Sequence, residues 1–367
     1  VFRAGHARGE AWREAVDECL RQLGPVGPAS TLGFLYISDR LAEHGEEILD
    51  RLTRASGIGE WVGSVGVGVI ATGTEYLDEP ALSVLVADLP RGEFQVFSGR
   101  SRAPTPEALT PSGATAAHFA VVHGDPYTED VPELIEDMSR KVDSGFLVGG
   151  LASSRTVMFQ IANGLLRGGL SGVVLSSRIS VATRLTQGCT PLAARHRVTE
   201  SERNIIVTLD GRPALDVFRE DVGDILGRDL ARAAHYIFAG LPVSGSDTGD
   251  YLVRNLVGFD ANNKLLAIGA EVAPGMPLIF CRRDGAAARE DLERMLDSIT
   301  AGLNGRAKGA LYFCCLGRGE QMFGERSTEV RMIRDRIGDI PLAGFFANGE
   351  ISHDRLYGYT GVLTLFL

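Results

Sequence analysis

IPLAGFFANGEIS, residues 340–352, is an apolar run that breaks on glycine twice and ends on an acid. Gly344 precedes an aromatic pair, and Gly349 hands over to Glu350, a carboxylate in apolar surroundings. Before it lie the apolar run GALYFCCLG (309–317) and the helix-spaced segment STEVRMIRDRIG (327–338), and GVLTLFL (361–367) follows. The order is strand, helix, glycine-ended strand, strand. Ser327 is placed to cap the helix and Gly338 to end it.

The same order occurs twice earlier. TLGFLYIS (31–38), a helical pattern carrying Leu41, Ile48, Leu49 and Leu52, EWVGSVGVGVI (60–70) and ALSVLVADL (81–89) form one copy. HFAVVHGDP (118–126), VPELIEDMSRKV (131–142), FLVGGLASSR (146–155) and GVVLSS (172–177) form another. Short continuous apolar runs are strands covered on both faces. A strand–helix–strand order predicts parallel pairs joined by crossover helices, with ligands outside the carboxyl ends of the strands. The expected fold is a mixed α/β class, built of repeated β-α-β-β units in two stacked halves with helices on the outer faces.

Between the second and third copies the pattern changes. RISVATRLTQGC (178–189), NIIVTLDG (204–211), DYLVRNLVGFDANNKLLAIG (250–269) and MPLIFCRRD (276–284) read as antiparallel strands, with DANN as a hairpin turn. PALDVFRE (213–220), LGRDLARAAHYIF (226–238) and AAAREDLERMLDSITAGL (286–303) read as helices, and LPVSGSDTGD (241–250) as a loop. The expected division is an N-terminal helical segment at 1–30, one domain at 31–220 and a second at 221–367.

Composition excludes several classes. A net charge of −10 and a pI near 5.3 argue against nucleic-acid binding, which needs clustered Lys and Arg. RHR (195–197) and CRRD (281–284) are too short to supply that. The five cysteines include no CxxC pair, so neither a disulfide framework nor a zinc site is expected, and no metal or cofactor is implied. No apolar run reaches membrane-spanning length, and VFRAGHARGEAW lacks the apolar centre of a signal peptide. A cytoplasmic setting follows as the expectation.

Nucleotide and hydrolase motifs are absent: no GxxxxGK[ST], no GxGxxG opening a helix and no GxSxG. VGSVGVGVI is β-branched enough to be strand. The candidate ligand residues sit on the strand-end turns: Gly63 and Ser64, Gly149, Gly150 and Ser153, Gly188 and Cys189, Cys315, Gly317 and Arg318, and Asn348, Gly349 and Glu350. Arg318, flanked by glycines, suits a carboxylate or phosphate. Glu350, if buried, must be paired or protonated, and Arg318 in the same repeat is the expected partner. His196 is a weaker general-base candidate. Cys315, Cys189 and Ser153 are the nucleophiles an enzyme would use, but no catalytic set is predicted.

VTESERNIIV (198–207) and LDGRPALDVF (209–218) resemble the FIST family, whose name stands for F-box and intracellular signal transduction. VGSVG (62–66), VGGLASS (148–154) and QGCTP (187–191) resemble its N-terminal half. DYLVRNLVGFD (250–260), CCLGRGEQMFG (314–324) and GFFANGEIS (344–352) resemble its C-terminal half. The resemblance implies a sensory module that binds a small molecule such as an amino acid. No F-box or signalling domain is read in this chain, so a stand-alone protein acting through a separate partner is expected. A ligand-free interaction scaffold is the remaining alternative.

Overall fold

The computed structural model describes residues 1–99, 102–243, 251–303 and 307–367. Strands and helices alternate through a mixed α/β architecture, as expected, and two units separate: 1–187 with 289–367, and 188–288. All three copies fall in the first unit.

Each copy forms the centre of a six-stranded sheet. In the first, Leu32–Ser38 runs parallel to Glu60–Gly66 and antiparallel to Ala81–Ala87. In the second, Phe119–Gly124 runs parallel to Phe146–Leu151 and antiparallel to Leu170–Leu175. In the third, Gly309–Cys315 runs parallel to Leu342–Ala347 and antiparallel to Thr360–Phe366. The helices Gly45–Ser56, Val131–Ser139 and Thr328–Ile337 make the crossovers.

The copies then exchange hairpins. Gly68–Ala71 leaves the first copy to pair with Leu342–Ala347 of the third. Glu350–His353 leaves the third to pair with Phe146–Leu151 of the second. Gln160–Ala162 leaves the second to pair with Glu60–Gly66 of the first, closing the cycle. This exchange ties the three sheets into one compact unit.

Register defines which residues are equivalent. Gly63, Gly149 and Gly344 face Leu35, Val122 and Tyr312 across the parallel pairs, and Ile161, Ile351 and Ile70 across the exchanged strands. A Cβ on these glycines would lie 1.8, 1.8 and 1.7 Å from the carbonyl oxygens of those three residues. The repeated glycine is therefore a close-approach requirement of the scaffold. The next equivalent set, Tyr36, His123 and Phe313, meets in the core, with ring centroids 5.6, 6.1 and 6.2 Å apart. The Tyr36 hydroxyl lies 3.2 Å from His123 Nε2. Burial lowers the His123 pKa to about 3, so this imidazole is neutral.

Several local expectations change. Residues 1–30 contribute a strand, Phe2–Arg8, as well as the helix Trp12–Leu23. The strand pairs with Ala81–Ala87, and Phe2 stacks on Phe366 at 4.8 Å. Gly338 does end its helix, with φ +92° and its N–H on Arg334 O. Ser327 does not cap it. Its Oγ accepts the Glu75 N–H at 3.0 Å instead, and its own N–H donates to the Glu75 carboxylate.

In the second unit the pairings of Pro277–Arg283, His196–Glu202, Ile205–Leu209, Leu265–Ile268, Tyr251–Asp260 and Ile237–Pro242 close on themselves as an antiparallel barrel. Asp260 accepts the Asn262 and Asn263 N–H groups, which sets the DANN turn. Of the helix expected at 226–238, Leu230–Ala233 is a single helical turn begun by Asp229, and Ile237 already belongs to a strand. Most of the 241–250 loop lies outside the described residues.

Candidate functional site

The strand-end turns of the first unit converge through their backbones. Asn348 N–H donates to Leu151 O at 3.0 Å, and Leu151 N–H to Gly349 O at 2.9 Å. Leu316 N–H donates to Ala347 O at 3.2 Å. Ser153 ties all three copies: its N–H donates to Val65 O, its hydroxyl to Phe346 O, and its Oγ accepts the Val67 N–H at 2.9 Å. Gly63, Ser64, Gly149, Gly150 and Ser153 are all buried in this lattice. Gly188 and Cys189 are buried in the second unit, where Cys189 O accepts the Tyr251 hydroxyl. Asn348 is exposed, and Cys315, Gly317 and Gly349 are half-buried. Gly349, at φ +116°, is the turn residue a side chain would strain.

The expected pairing of Arg318 with Glu350 does not form. Arg318 is 0% exposed and donates to Glu329 through Nε at 3.0 Å and through NH2. Its NH1 donates to Tyr359 O at 3.3 Å, and its guanidinium lies 5.3 Å from the Phe323 ring centroid. Glu329 also accepts the Tyr312 hydroxyl and the Cys314 thiol at 3.3 Å. The helix carrying Glu329 reaches Arg318 first, so the arginine is spent inside the third copy.

Glu350 is left with different neighbours. Its Oε2 accepts the Thr360 N–H at 3.2 Å and the Thr360 hydroxyl at 2.7 Å, while Oε1 has no partner. Full burial raises its pKa to about 8, only partly opposed by the Thr360 donors and the Arg318 charge. At neutral pH the protonated, uncharged acid is therefore the favoured form.

The internal repeat shows what Glu350 lacks. Its equivalents are Gln160 and Val69. Gln160 is satisfied: Oε1 accepts the Ser171 hydroxyl at 2.7 Å, and Nε2 donates to Gly168 O and Gly169 O. The position of Ser171, opposite His123, is occupied in the third copy by Val362, opposite Phe313. The scaffold can pair a polar group at this point, and the third copy does not.

Cys315 has a repeat explanation too. Two residues beyond Tyr36, His123 and Phe313 stand Ser38, Asp125 and Cys315. Ser38 accepts the Ala81 N–H at 2.8 Å, and Asp125 accepts those of Tyr127 and Gly168. Cys315 Sγ accepts the N–H groups of Gly317 and Tyr359. The thiol thus anchors the loops before and behind it. Burial first, then Glu350, pushes its pKa far above the usual thiol range.

His196 is held between Asp210, 2.7 Å from Nδ1, and Asp221, 2.8 Å from Nε2. Partial burial works against its charge, but these two carboxylates raise its pKa. An NMR titration is expected to give a midpoint above 6.5, falling to or below it in Asp221→Asn; a wild-type midpoint below 6.5 would contradict the bridge.

Among the described residues no three His, Cys, Asp or Glu side chains form a metal set, and no helix is long and apolar enough to cross a membrane. A surface hollow of about 700 Å³ lies at the seam of the crossover helix Gly45–Ser56 and an exchanged hairpin, lined by Glu43, Glu46, Val157, Leu165 and Arg167 among others. None of the sequence-predicted ligand residues lines it.

Comparison with known proteins places these features in a family. The FIST N domain matches residues 31–212 and the FIST C domain residues 214–353. An uncharacterized protein of Mycobacterium bovis is 31% identical over 378 aligned positions, covering 99% of this chain and 96% of its own. An uncharacterized protein of Mycobacterium tuberculosis strain H37Rv is 33% identical over 323 positions, 83% of each chain. The cyclic exchange that buries Glu350 is thus built across the N and C domains together, and the chain belongs to the FIST family, which is associated with sensing and signal transduction.

Proposed function

We propose that this protein is a cytoplasmic sensor that binds a small metabolite, an amino acid or a related molecule, and acts through a separate signalling partner. The observation that carries this reading is Glu350: a fully buried acid with one unpartnered oxygen, at a position the repeat satisfies elsewhere. The proposed ligand residues are Glu350, Gly349, Asn348, Cys315 and Gly317, at the carboxyl ends of the parallel strands. A ligand amine there would take the place of the Glu350 proton. Arg318 supports the site through Glu329 rather than meeting the ligand.

A thermal-shift screen of amino acids, small amines and organic acids tests this, because a ligand bound only to the native state raises Tm. The shift given by an active compound is expected to vanish in Glu350→Ala and persist in the double variant Glu46→Ala/Arg167→Ala. The opposite result moves the site to the 700 Å³ hollow. No shift from any compound favours the scaffold reading.

The geometry weighs against the nucleophiles of an enzyme. Ser153 spends its hydroxyl on Phe346 O, and Cys315 is held as a neutral thiol. Iodoacetamide at pH 7.5 is expected to label Cys315 more slowly than free cysteine; faster labelling would restore the enzymatic alternative.

A further inference from the structure

Glu350 opens the hairpin that the third copy lends to the second sheet, Glu350–His353 with Arg355–Tyr357, and Thr360 opens the strand that returns to the third sheet. The two bonds from Thr360 to Glu350 Oε2 therefore clasp the excursion at its base. In the other polar copy, Gln160 makes the same clasp with Gly168 and Gly169, using an amide that does not titrate.

We propose that the proton on Glu350 keeps this excursion closed: while the acid is neutral the hairpin stays seated, and when it ionises the buried charge, with no donor at Oε1, draws the hairpin toward water against the pull of the Thr360 donors, so that the hairpin and its pairing with Phe146–Leu151 respond to pH. The groups facing the carboxyl are these. The strand Gly309–Cys315 brings the Cys315 thiol, and the loop after it brings Arg318. The helix Thr328–Ile337 brings Glu329, which holds Arg318. The opposite hairpin strand places Tyr357 across from Glu350. The second sheet sets Gly149 and Gly150 beside it. The Arg318 cation is thus already committed to Glu329. An ionised Glu350 has no donor for Oε1 and a carboxylate, Glu329, nearby. The inference does not depend on a metabolite binding at this site.

Hydrogen exchange of the full-length protein between pH 6.5 and 9, corrected for intrinsic rates, tests the clasp. Wild-type amides in 147–151 and 350–357 are expected to lose at least tenfold protection as pH rises. Amides in 160–166, held by Gln160, should stay constant. Glu350→Gln should keep its protection throughout. Thr360→Val removes the hydroxyl that favours the charged form, so its loss of protection should move to higher pH. Equal pH profiles in wild type and Glu350→Gln would overturn the proposal. So would a Thr360→Val profile lowered equally at every pH, which marks a plain structural contact.

Discussion

Glu350→Gln is expected to match the wild type near pH 4.5 and to exceed it in stability by about 4–5 kcal/mol at pH 8.5. The folded-state pKa of about 8 stands above the ordinary 4.5. A raised acid contributes its full stability below the unfolded value and loses it as pH rises through the folded value. The unfolded chain gives up its proton near 4.5, while the fold keeps it until about 8. Each unit of the gap is worth about 1.4 kcal/mol, which sets the size of the effect. Glutamine keeps the acceptor for Thr360 and carries no charge, so it removes the slope but not the clasp. Chemical denaturation at pH 5, 7 and 9 measures it. Parallel wild-type and variant curves would show that Glu350 is not a buried neutral acid.

Arg318→Met is the second large effect. It leaves Glu329, 1% exposed, with only the Tyr312 hydroxyl and the Cys314 thiol as donors. Breaking a buried pair from one side costs about 3–5 kcal/mol, mostly as the penalty on the abandoned charge. Glu329→Gln, which strands the arginine instead, is expected to fall in the same range. The double variant should cost less than the sum of the two singles by about 2 kcal/mol or more, because neither charge is then left alone. Additive costs would mean that the two side chains are stabilised independently, against the contact seen between Nε and Oε1 at 3.0 Å.

Much of this architecture is legible in the chain. The three apolar–helix–glycine–apolar copies need only local patterning, and each appears in the fold within a few residues of its expected bounds. The strand Phe2–Arg8 is not legible, because FRAGHAR has no continuous apolar run and becomes a strand only beside Ala81–Ala87. The helical pattern at 226–238 holds in Ala214–Arg228 and Leu230–Ala233 and is lost at its end for the same reason: the barrel takes Ile237 and Phe238 into its wall.

The candidate site divides along the same line. That Glu350 is an isolated acid on a glycine turn is a property of the sequence. Its partner is not. Proximity in the repeat suggested Arg318, but Glu329 sits eleven residues on along the crossover and meets the guanidinium before Glu350 can. Nor does the sequence show that Val362 stands where Ser171 stands in the second copy, since that equivalence exists only through strand register.

By itself, then, the sequence determined the repeating unit, its mixed α/β class, its glycine turns and its FIST membership, because apolar period and turn chemistry are local. Only the tertiary structure decided that the copies trade hairpins in a cycle, that Arg318 is consumed by Glu329, and that Glu350 is buried with an oxygen to spare. Those are outcomes of long-range pairing and burial, where a hydrogen bond or a charge is settled by whichever group the fold brings close first.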